Sequence, residues 1–220
     1  MLKIRYLGHA CFMFDDGSEK VIVDPFLTGN PKAGCRADEV EADYIFVTHG
    51  HGDHLGDAVP IAKRTGATIV TTVDLAETLR GEGVKLAEGN IGGRLTFSFG
   101  SARFFQAIHG SGAPGTLSCG FVFEMGGKKV YHAGDTALMM DMQLLESDHL
   151  DAALLPIGDI YTMDPDAAVR AAGMIGAALT IPMHYDTFPH ICQDADAYVR
   201  AVEEKGLKAA VMRVGEEITL

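Results

Sequence analysis

The sequence has few cysteines, and none of them lie in a closely spaced pair. Its four cysteines, Cys11, Cys35, Cys119 and Cys192, are far apart and form no C-x-x-C motif. A zinc ribbon or a redox dithiol needs such pairs, so neither is predicted. We expect reduced thiols, because free cysteine packs well in apolar interiors.

Basic residues are also scarce, which limits the kinds of partner. The 220 residues include 18 Lys and Arg against 30 Asp and Glu, for a formal net charge of −12. Proteins bind nucleic-acid backbones through surfaces rich in Lys and Arg, so no nucleic-acid partner is expected. A small anionic substrate stays open, because bound divalent cations would offset part of the acidity locally.

The sequence lacks signals for export, for membrane insertion and for division into domains. It begins MLKIRYLGHACF, without the basic segment and apolar run of a secretory signal. No later stretch approaches the roughly 18 apolar residues of a membrane helix, so we expect a cytoplasmic protein without a membrane partner. No linker, low-complexity tract or repeat marks a boundary, which predicts a single domain over residues 1–220.

The order of apolar patterns predicts an α/β fold. Short β-type runs predict strands at 3–7, 10–14, 20–23, 43–47, 68–71, 94–99, 102–108, 118–125, 128–133, 152–155, 179–182, 209–214 and 217–220. Helical periodicity and capping residues predict helices at 56–64, 73–80, 136–145, 165–175 and 195–205. Two strand-rich halves, each followed by helices, indicate a four-layer α/β/β/α sandwich with polar loops along one edge.

The strongest functional signal is an H-x-H-x-D-H pattern placed directly after a predicted strand. It contains His49, His51, Asp53 and His54. In near-extended backbone, residues two apart point the same way, so His49 and His51 can chelate one cation. After a turn permitted by glycine, Asp53 and His54 can face a second cation. Imidazole nitrogen and carboxylate oxygen suit Zn²⁺, Mn²⁺ or Fe²⁺, and no nearby cysteine adds a thiolate preference.

Four residues do not complete two metal shells, so the pattern requires further ligands downstream. His109, Asp135 and His184 each follow an apolar strand, where a site built from loops would need them. We therefore predict seven metal ligands, drawn from four separate segments of the chain.

These motifs, in this order, resemble those of the metallo-β-lactamase superfamily. That superfamily has the H-x-H-x-D-H loop, a later His, an Asp in a G-D-T context and a final His. Segments 7–12, 24–31 and 182–189 are similar to the UPF0173-like family of metal-dependent hydrolases of this fold, which is related to the ascorbate-phosphate lactonases. The resemblance covers essentially the full length of the chain.

The resemblance implies roles for individual residues. One metal would be bound by His49, His51 and His109, the other by Asp53, His54 and His184, with Asp135 as the bridge. Asp24 would orient the histidine loop from outside the ligand shell. His9 would reach the substrate or pass a proton, although a hydrogen-bonded loop histidine is an equal alternative.

Other residues carry weaker signals. Segment 156–164 resembles a family loop near the pocket, but Asp159 stands where the family usually has glycine, so neither Asp159 nor Tyr161 receives a role. His132, His149 and His190 lie in no strong motif and are predicted to be structural.

The expected activity is metal-dependent hydrolysis. Two divalent cations about 3.5–4 Å apart share a water and lower its pKa toward about 7, which gives a bridging hydroxide nucleophile. We expect two ions per chain, Zn²⁺ first, with Mn²⁺ or Fe²⁺ as alternatives. The expected substrate is a small ester, lactone, thioester or phosphate-bearing metabolite, with Asp53 helping to handle the proton. A homo-oligomer is also expected.

Three alternatives stay open from the residues. A di-iron oxygen-reducing site of this superfamily is similar but commonly carries Glu where His51 stands, so His51 favours hydrolysis. A metal-loaded binding or sensing protein without turnover would keep the same ligands, because a fold and its site persist when function differs. A structural zinc that staples the loop would use four ligands and leave no open position, whereas seven candidates predict open positions.

Overall fold

Thirteen strands form the body of the protein in the computed structural model, which describes residues 1–220. In chain order they are β1 (Lys3–Gly8), β2 (Cys11–Asp15), β3 (Lys20–Val23), β4 (Tyr44–Phe46), β5 (Thr68–Thr72), β6 (Lys85–Gly89), β7 (Arg94–Phe97), β8 (Gly100–Gln106), β9 (Cys119–Met125), β10 (Lys128–His132), β11 (Ala152–Pro156), β12 (Thr180–Met183) and β13 (Glu217–Thr219).

The strands make two mixed sheets. The first has the order β13-β1-β2-β3-β4-β5-β6 and the second the order β12-β11-β10-β9-β8-β7. Each sheet joins an antiparallel part to a parallel part: β13 to β3 and β7 to β10 are antiparallel, while β3 to β6 and β10 to β12 are parallel. As a result β1, β3 and β4 end at one edge of the first sheet, and β8, β10 and β12 end together in the second.

Five α-helices cover the sheets: α1 (Gly52–Leu55), α2 (Ala58–Thr65), α3 (Val73–Leu79), α4 (Pro165–Ile175) and α5 (Ala195–Glu203). The chain also forms 3₁₀ segments at Ala37–Glu39, Met140–Asp148 and Pro189–Ile191. The predicted caps are confirmed: Asp164 accepts a hydrogen bond from the backbone N–H of Ala167, and Asp194 accepts one from Ala197. None of the helices is both long and apolar enough to cross a bilayer.

Two apolar clusters hold the layers together. The larger contains 44 buried residues and lies between the sheets and under α4 and α5. At its centre Phe46 of the first sheet packs edge-on against Phe121 and Phe123 of the second, with centroids 5.0 and 4.8 Å apart. A second cluster of 15 buried residues joins the other face of the first sheet to α2 and α3. The predicted four-layer α/β/β/α sandwich is confirmed.

Several element boundaries differ from the sequence prediction. The helix predicted at 136–145 is a 3₁₀ segment at Met140–Asp148, because Thr136 instead binds the backbone N–H groups of Ile108 and Met163. The strand predicted at 209–214 is reduced to one bridge between Thr180 and Ala209. β6 was not predicted, since its side chains are half-buried or exposed and show no apolar alternation.

The predicted helix at 56–64 corresponds to α2, and a separate short helix, α1, which was not predicted, precedes it. Gly56 lies at the break with a φ of 39°, and a Cβ at this position would lie 2.5 Å from the carbonyl oxygen of Pro25. The break thus depends on glycine, and it brings the histidine loop close to the segment after β3.

Candidate metal centre

The histidine loop leaves the end of β4 and turns directly into α1. The Nε2 atom of His49 and the Nδ1 atom of His51 lie 2.9 Å apart. His51 is the N-cap of α1, and Asp53 and His54 occupy its first turn. A Cβ on Gly112 would lie 2.4 Å from the backbone nitrogen of His51, so the segment after His109 packs directly on the loop only because glycine is there.

Asp24 holds this loop from beneath. Its carboxylate accepts hydrogen bonds from the Thr48 backbone N–H at 2.8 Å, the Thr48 hydroxyl at 2.7 Å and His54 Nδ1 at 2.8 Å. Asp24 and His54 are fully buried. Because Nδ1 of His54 is occupied, its Nε2 atom points toward the centre of the site. Asp24 has a φ of 46°, a left-handed conformation that is uncommon outside glycine.

Four histidines from different parts of the chain converge on Asp135. Its Oδ2 atom lies 3.1 Å from Nε2 of His184, 3.2 Å from Nε2 of His54, 3.4 Å from Nε2 of His109 and 4.0 Å from Nε2 of His49. The ligand atoms of a tetrahedral site with bonds of about 2.0–2.1 Å lie about 3.3 Å apart. The observed separations therefore match atoms that share a cation.

Unpaired buried atoms at this point support the same conclusion. Nε2 of His54, both ring nitrogens of His184 and Oδ1 of Asp135 are buried without a hydrogen-bond partner. Each such atom costs about 1–3 kcal/mol when it has no partner. Nitrogen lone pairs and a carboxylate oxygen directed at one point are the donor set of a divalent metal, so the residues fit such an ion.

The ligand atoms fall into overlapping groups. Within each group the ligating atoms lie within 4.8 Å of one another: His49, His51 and His109; His9, Asp53, His54 and His184; and His49, His54 and Asp135. All seven residues predicted as ligands are thus brought together. His9, which was predicted as a catalytic residue, is itself a member of the second group.

Charge in the centre favours a cation. Burial raises the pKa of Asp135, but neighbouring His184 and His54 outweigh burial and hold that pKa well below its usual value. Burial lowers the pKa of His54, but the carboxylates of Asp135 and Asp24 outweigh it and raise the pKa well above its usual value. Burial lowers the pKa of His49 to about 2, so this imidazole is neutral. The carboxylates of Asp24 and Asp135 thus favour a positive charge at His54. A metal ion bound at Nε2 would supply that charge in place of a proton.

His9 reaches the site from the turn between β1 and β2. Its fully buried ring places Nε2 3.2 Å from Oδ2 of Asp53 and Nδ1 2.8 Å from the Thr187 hydroxyl. Burial lowers the pKa of His9 to about 4, so the ring is neutral and has one N–H. A neutral ring beside a carboxylate donates from Nε2, which leaves Nδ1 to accept from Thr187. The ring touches Asp53 and does not line the open cavity.

Backbone conformation also marks His9 and His184 as a pair. Both have φ values in the left-handed region, 59° and 56°, and the His184 backbone N–H donates to the His9 carbonyl at 2.8 Å. A Cβ on Gly158 would lie 2.3 Å from the His184 carbonyl oxygen, so the segment after β11 also approaches this turn closely. Strained residues of this kind persist where the surroundings hold them and are concentrated at functional sites.

An open cavity of about 380 Å³ lies against the cluster. It is lined by His51, Asp53, His109, Asp135, Tyr161, His184, Phe188 and His190. Sequence reasoning did not assign Tyr161 or Phe188 to the site, although both lie in segments that resemble family loops. His190, predicted to be structural, lines this cavity instead. His132 is buried, and its Nε2 donates to the Ala10 carbonyl at 2.8 Å, which agrees with the structural prediction.

A larger cleft of about 690 Å³ lies between residues 27–39 and α2. Its arginines are already paired, Arg36 with Asp38 and Arg64 with Glu41. The groups that could hold a metal ion all lie elsewhere, so the smaller cavity is the candidate site.

Comparison with known proteins shows the family of the chain. Residues 19–185 match a family model described as the β-lactamase superfamily domain. The chain is similar to a UPF0173 metal-dependent hydrolase of Symbiobacterium thermophilum, with 48% identity and complete coverage of both chains. A UPF0173 metal-dependent hydrolase of Thermus thermophilus is 43% identical, again over both whole chains. Among solved structures, Igni18, a metallo hydrolase of Ignicoccus hospitalis, is 33% identical with a TM-score of 0.94, covering 100% of this chain and 98% of that one.

Proposed function

The chain belongs to the β-lactamase superfamily and to its UPF0173 metal-dependent hydrolases, and on this premise we propose a dinuclear hydrolase of small esters, lactones, thioesters or phosphate-bearing metabolites. The observation that carries the proposal is the convergence of four histidine Nε2 atoms on Oδ2 of Asp135, at 3.1 to 4.0 Å. A single closed structural zinc would leave several of these side chains without a role.

The proposed ligands divide into two sets with one shared residue. One cation would be bound by His49, His51 and His109. The other would be bound by Asp53, His54 and His184, and Asp135 would bind both. The close grouping of the ligating atoms and the unpaired buried atoms of His54, His184 and Asp135 support this division. Zn²⁺ is the expected ion, with Mn²⁺ or Fe²⁺ as alternatives, because all the ligands are imidazole or carboxylate.

Cations bound here would polarise an electrophilic carbonyl or phosphoryl group and lower the pKa of a water toward about 7. The protein's own contribution is to orient ligands and to place a proton acceptor. Asp24 directs Nε2 of His54 through the bond at Nδ1, and Thr48 fixes Asp24 in turn. His54 is therefore held in place before substrate arrives.

Asp53 is the proposed proton-handling group. Burial raises its pKa, but the hydrogen bond from His9 and the nearby charge of His54 outweigh burial and hold the pKa below its usual value. Its Oδ2 atom accepts from Nε2 of His9, while Oδ1 makes no hydrogen bond within the protein. Because Asp53 also lines the cavity, Oδ1 is the atom that remains both to bind the proposed cation and to take a proton on the substrate side.

Metal analysis combined with a substrate screen tests this proposal. Purified protein, loaded with Zn²⁺ or Mn²⁺, is assayed on a carboxylic ester, a lactone, a thioester and a phosphodiester, beside the variant Asp135→Asn. We expect two ions per wild-type chain, turnover of at least one class, and loss of both metal and turnover in the variant. One ion per chain would refute the dinuclear centre, and two ions without turnover on any class would indicate a binding or sensing protein.

A further inference from the structure

The part of the cavity wall that does not belong to the proposed ligand set is aromatic. Five of the eight lining residues are proposed ligands, and the other three are Tyr161, Phe188 and His190. No Lys or Arg is among the lining residues. A substrate would therefore contact these rings with the part that lies beyond its reacting group. None of the three rings carries a fixed positive charge.

The three rings form one connected surface. The His190 ring lies edge-on to Tyr161, with centroids 5.9 Å apart, and stacks on Phe188 at 6.5 Å. Phe188 in turn contacts Phe26 at 6.3 Å and the buried His9 ring at 5.7 Å. The aromatic wall is thus anchored in the same scaffold that holds the ligands, and its position relative to them is set by packing.

Tyr161 is presented to the cavity by a strained loop. Asp159 and Ile160 have φ values of 61° and 34°, and the latter is rare for a β-branched residue. The loop closes through hydrogen bonds from the Asp159 N–H to the Met163 carbonyl at 3.0 Å and from the Thr162 N–H to the Asp159 carbonyl at 2.8 Å. In this loop conformation Tyr161 is 54% exposed, and its ring lies at the cavity and is not packed in the interior. Strain of this kind is concentrated at sites that hold ligands.

Charge decides between the substrate classes that the proposed function leaves open. A phosphoryl group at the reacting centre would lie against the cations, but a phosphate or carboxylate elsewhere in the substrate would need Lys, Arg or water. Within the cavity it would meet the carboxylates of Asp53 and Asp135 and, beyond the proposed histidine ligands, the rings of Tyr161, Phe188 and His190, with no Lys or Arg among them. Removing an unpaired anion from water is strongly unfavourable, whereas apolar groups gain from contact with aromatic rings.

We propose, on the basis of the hydrolase function above, that the substrate is a neutral carboxylic ester, thioester or lactone whose uncharged apolar part packs on Tyr161 and Phe188. Tyr161 then determines specificity through contact with that apolar part. In the reaction, water adds to the carbonyl carbon and the acyl C–O or C–S bond breaks. The leaving alcohol or thiol receives a proton, and the acid product is released as a carboxylate.

A matched pair of esters tests the preference. The substrates p-nitrophenyl hexanoate and mono-p-nitrophenyl adipate differ only by a methyl group against a carboxylate at the far end of the acyl chain. For the metal-loaded enzyme we expect kcat/KM for the hexanoate to be at least about tenfold higher, because no Lys or Arg lines the cavity to pair with the carboxylate. Equal or faster cleavage of the adipate, or a preference for a phosphodiester, would overturn the proposal.

Variants of Tyr161 locate the effect. Tyr161→Phe keeps the ring and should retain the preference, whereas Tyr161→Ala should lower kcat/KM for the hexanoate about tenfold and leave the slower adipate nearly unchanged. Leu144→Ala is the control, since Leu144 is 64% exposed and does not line the cavity. An equal loss on both esters in Tyr161→Ala would remove the specificity role.

The two proposals fail in different ways. If the metal-loaded wild type cleaves none of the ester, lactone, thioester or phosphodiester probes, the hydrolase function itself is wrong. If it turns over substrates but prefers anionic ones, only the substrate class is wrong.

Discussion

Nδ1 of His54 donates a 2.8 Å hydrogen bond to Oδ2 of Asp24, and both side chains are completely inaccessible to solvent. The bond leaves only Nε2 of His54 free, and that atom lies 3.2 Å from Oδ2 of Asp135. A carboxylate thus sets the direction of a proposed metal ligand from the far side of its ring. The same carboxylate binds Thr48, the residue that precedes the histidine loop.

Asp24→Asn is therefore expected to weaken metal binding although Asp24 is not itself a proposed ligand. An amide has one acceptor oxygen where the carboxylate uses two, so its NH₂ group must face either the Thr48 backbone N–H or the Thr48 hydroxyl and His54, and the arrangement that orients the imidazole is disturbed. We expect a loss of about 10- to 100-fold in affinity for Zn²⁺, measured by competition with a chromophoric chelator. Asp15→Asn, at the end of β2, is the control and should bind as wild type does. Unchanged affinity in the Asp24 variant would contradict the role.

The contact between His9 and Asp53 predicts a loss of turnover without loss of metal. His9→Asn keeps a residue type that tolerates positive φ but removes the ring that donates to Asp53. We expect kcat to fall about tenfold or more while the metal content stays at the wild-type level. Thr187→Val removes the hydroxyl that donates to Nδ1 of His9 and should produce a smaller decrease.

Thr187→Ser is the matched control, since it keeps that hydroxyl and should retain activity. Metal content and kcat are measured on the same preparations. If His9→Asn loses metal and turnover together, His9 supports the ligand shell and does not act through Asp53 alone.

Metal removal should lower the stability of the whole fold. Without a cation, buried atoms of His54, His184 and Asp135 have no hydrogen-bond partner, and these residues connect both sheets at one edge. A ligand that binds only the folded state adds about 2.7 kcal/mol at a concentration of 100 times its Kd. We expect the thermal midpoint to fall by several degrees on treatment with EDTA and to recover when Zn²⁺ is restored. An unchanged midpoint would show that the site is not coupled to folding.

A pH-dependent contribution to stability is expected from Asp151, far from the metal centre. Burial raises its pKa, but hydrogen bonds from Lys128 and from the Lys129 backbone N–H outweigh burial and lower the pKa from its usual value. A carboxyl with a depressed folded-state pKa stabilises the protein above its unfolded-state pKa of about 3.9 and loses that effect as pH falls through the folded-state value.

The variant Asp151→Asn should therefore be less stable than wild type at neutral pH, and the difference should shrink below about pH 4. Urea unfolding of both proteins over a series of pH values measures this. A difference that stays constant as the pH falls would show that ionisation of Asp151 is not its source.

Much of the site could be predicted because its ligands are ordered by local rules. The spacing of His49, His51, Asp53 and His54 sets the directions of their side chains within six residues. The strand that ends at Phe46 places this loop at a sheet edge. His109, Asp135 and His184 follow the same rule, since each comes after a strand that runs toward the same edge. The fold class was predictable for a related reason: buried strands and amphipathic helices have distinct periods.

Other elements were decided by distant packing. β6 has no apolar alternation and exists as an edge strand because β5 offers it a parallel partner from Thr68 to Thr72. The segment after Asp135 could have extended as helix, yet Thr136 binds Ile108 and Met163 across the site and prevents it. Local propensity is a weak preference, and contacts of this kind override it.

By itself the sequence determined which residues have metal-binding chemistry, and at which strand ends they lie, because those properties depend on residue type and short-range geometry. Only the tertiary structure decided that His9 faces Asp53, 44 positions away, and that Tyr161 and His190 meet at the cavity. Such contacts join segments that are far apart in the chain, so their relative positions cannot be predicted from local sequence. They form only when the two sheets pack face to face and bring their loop edges together.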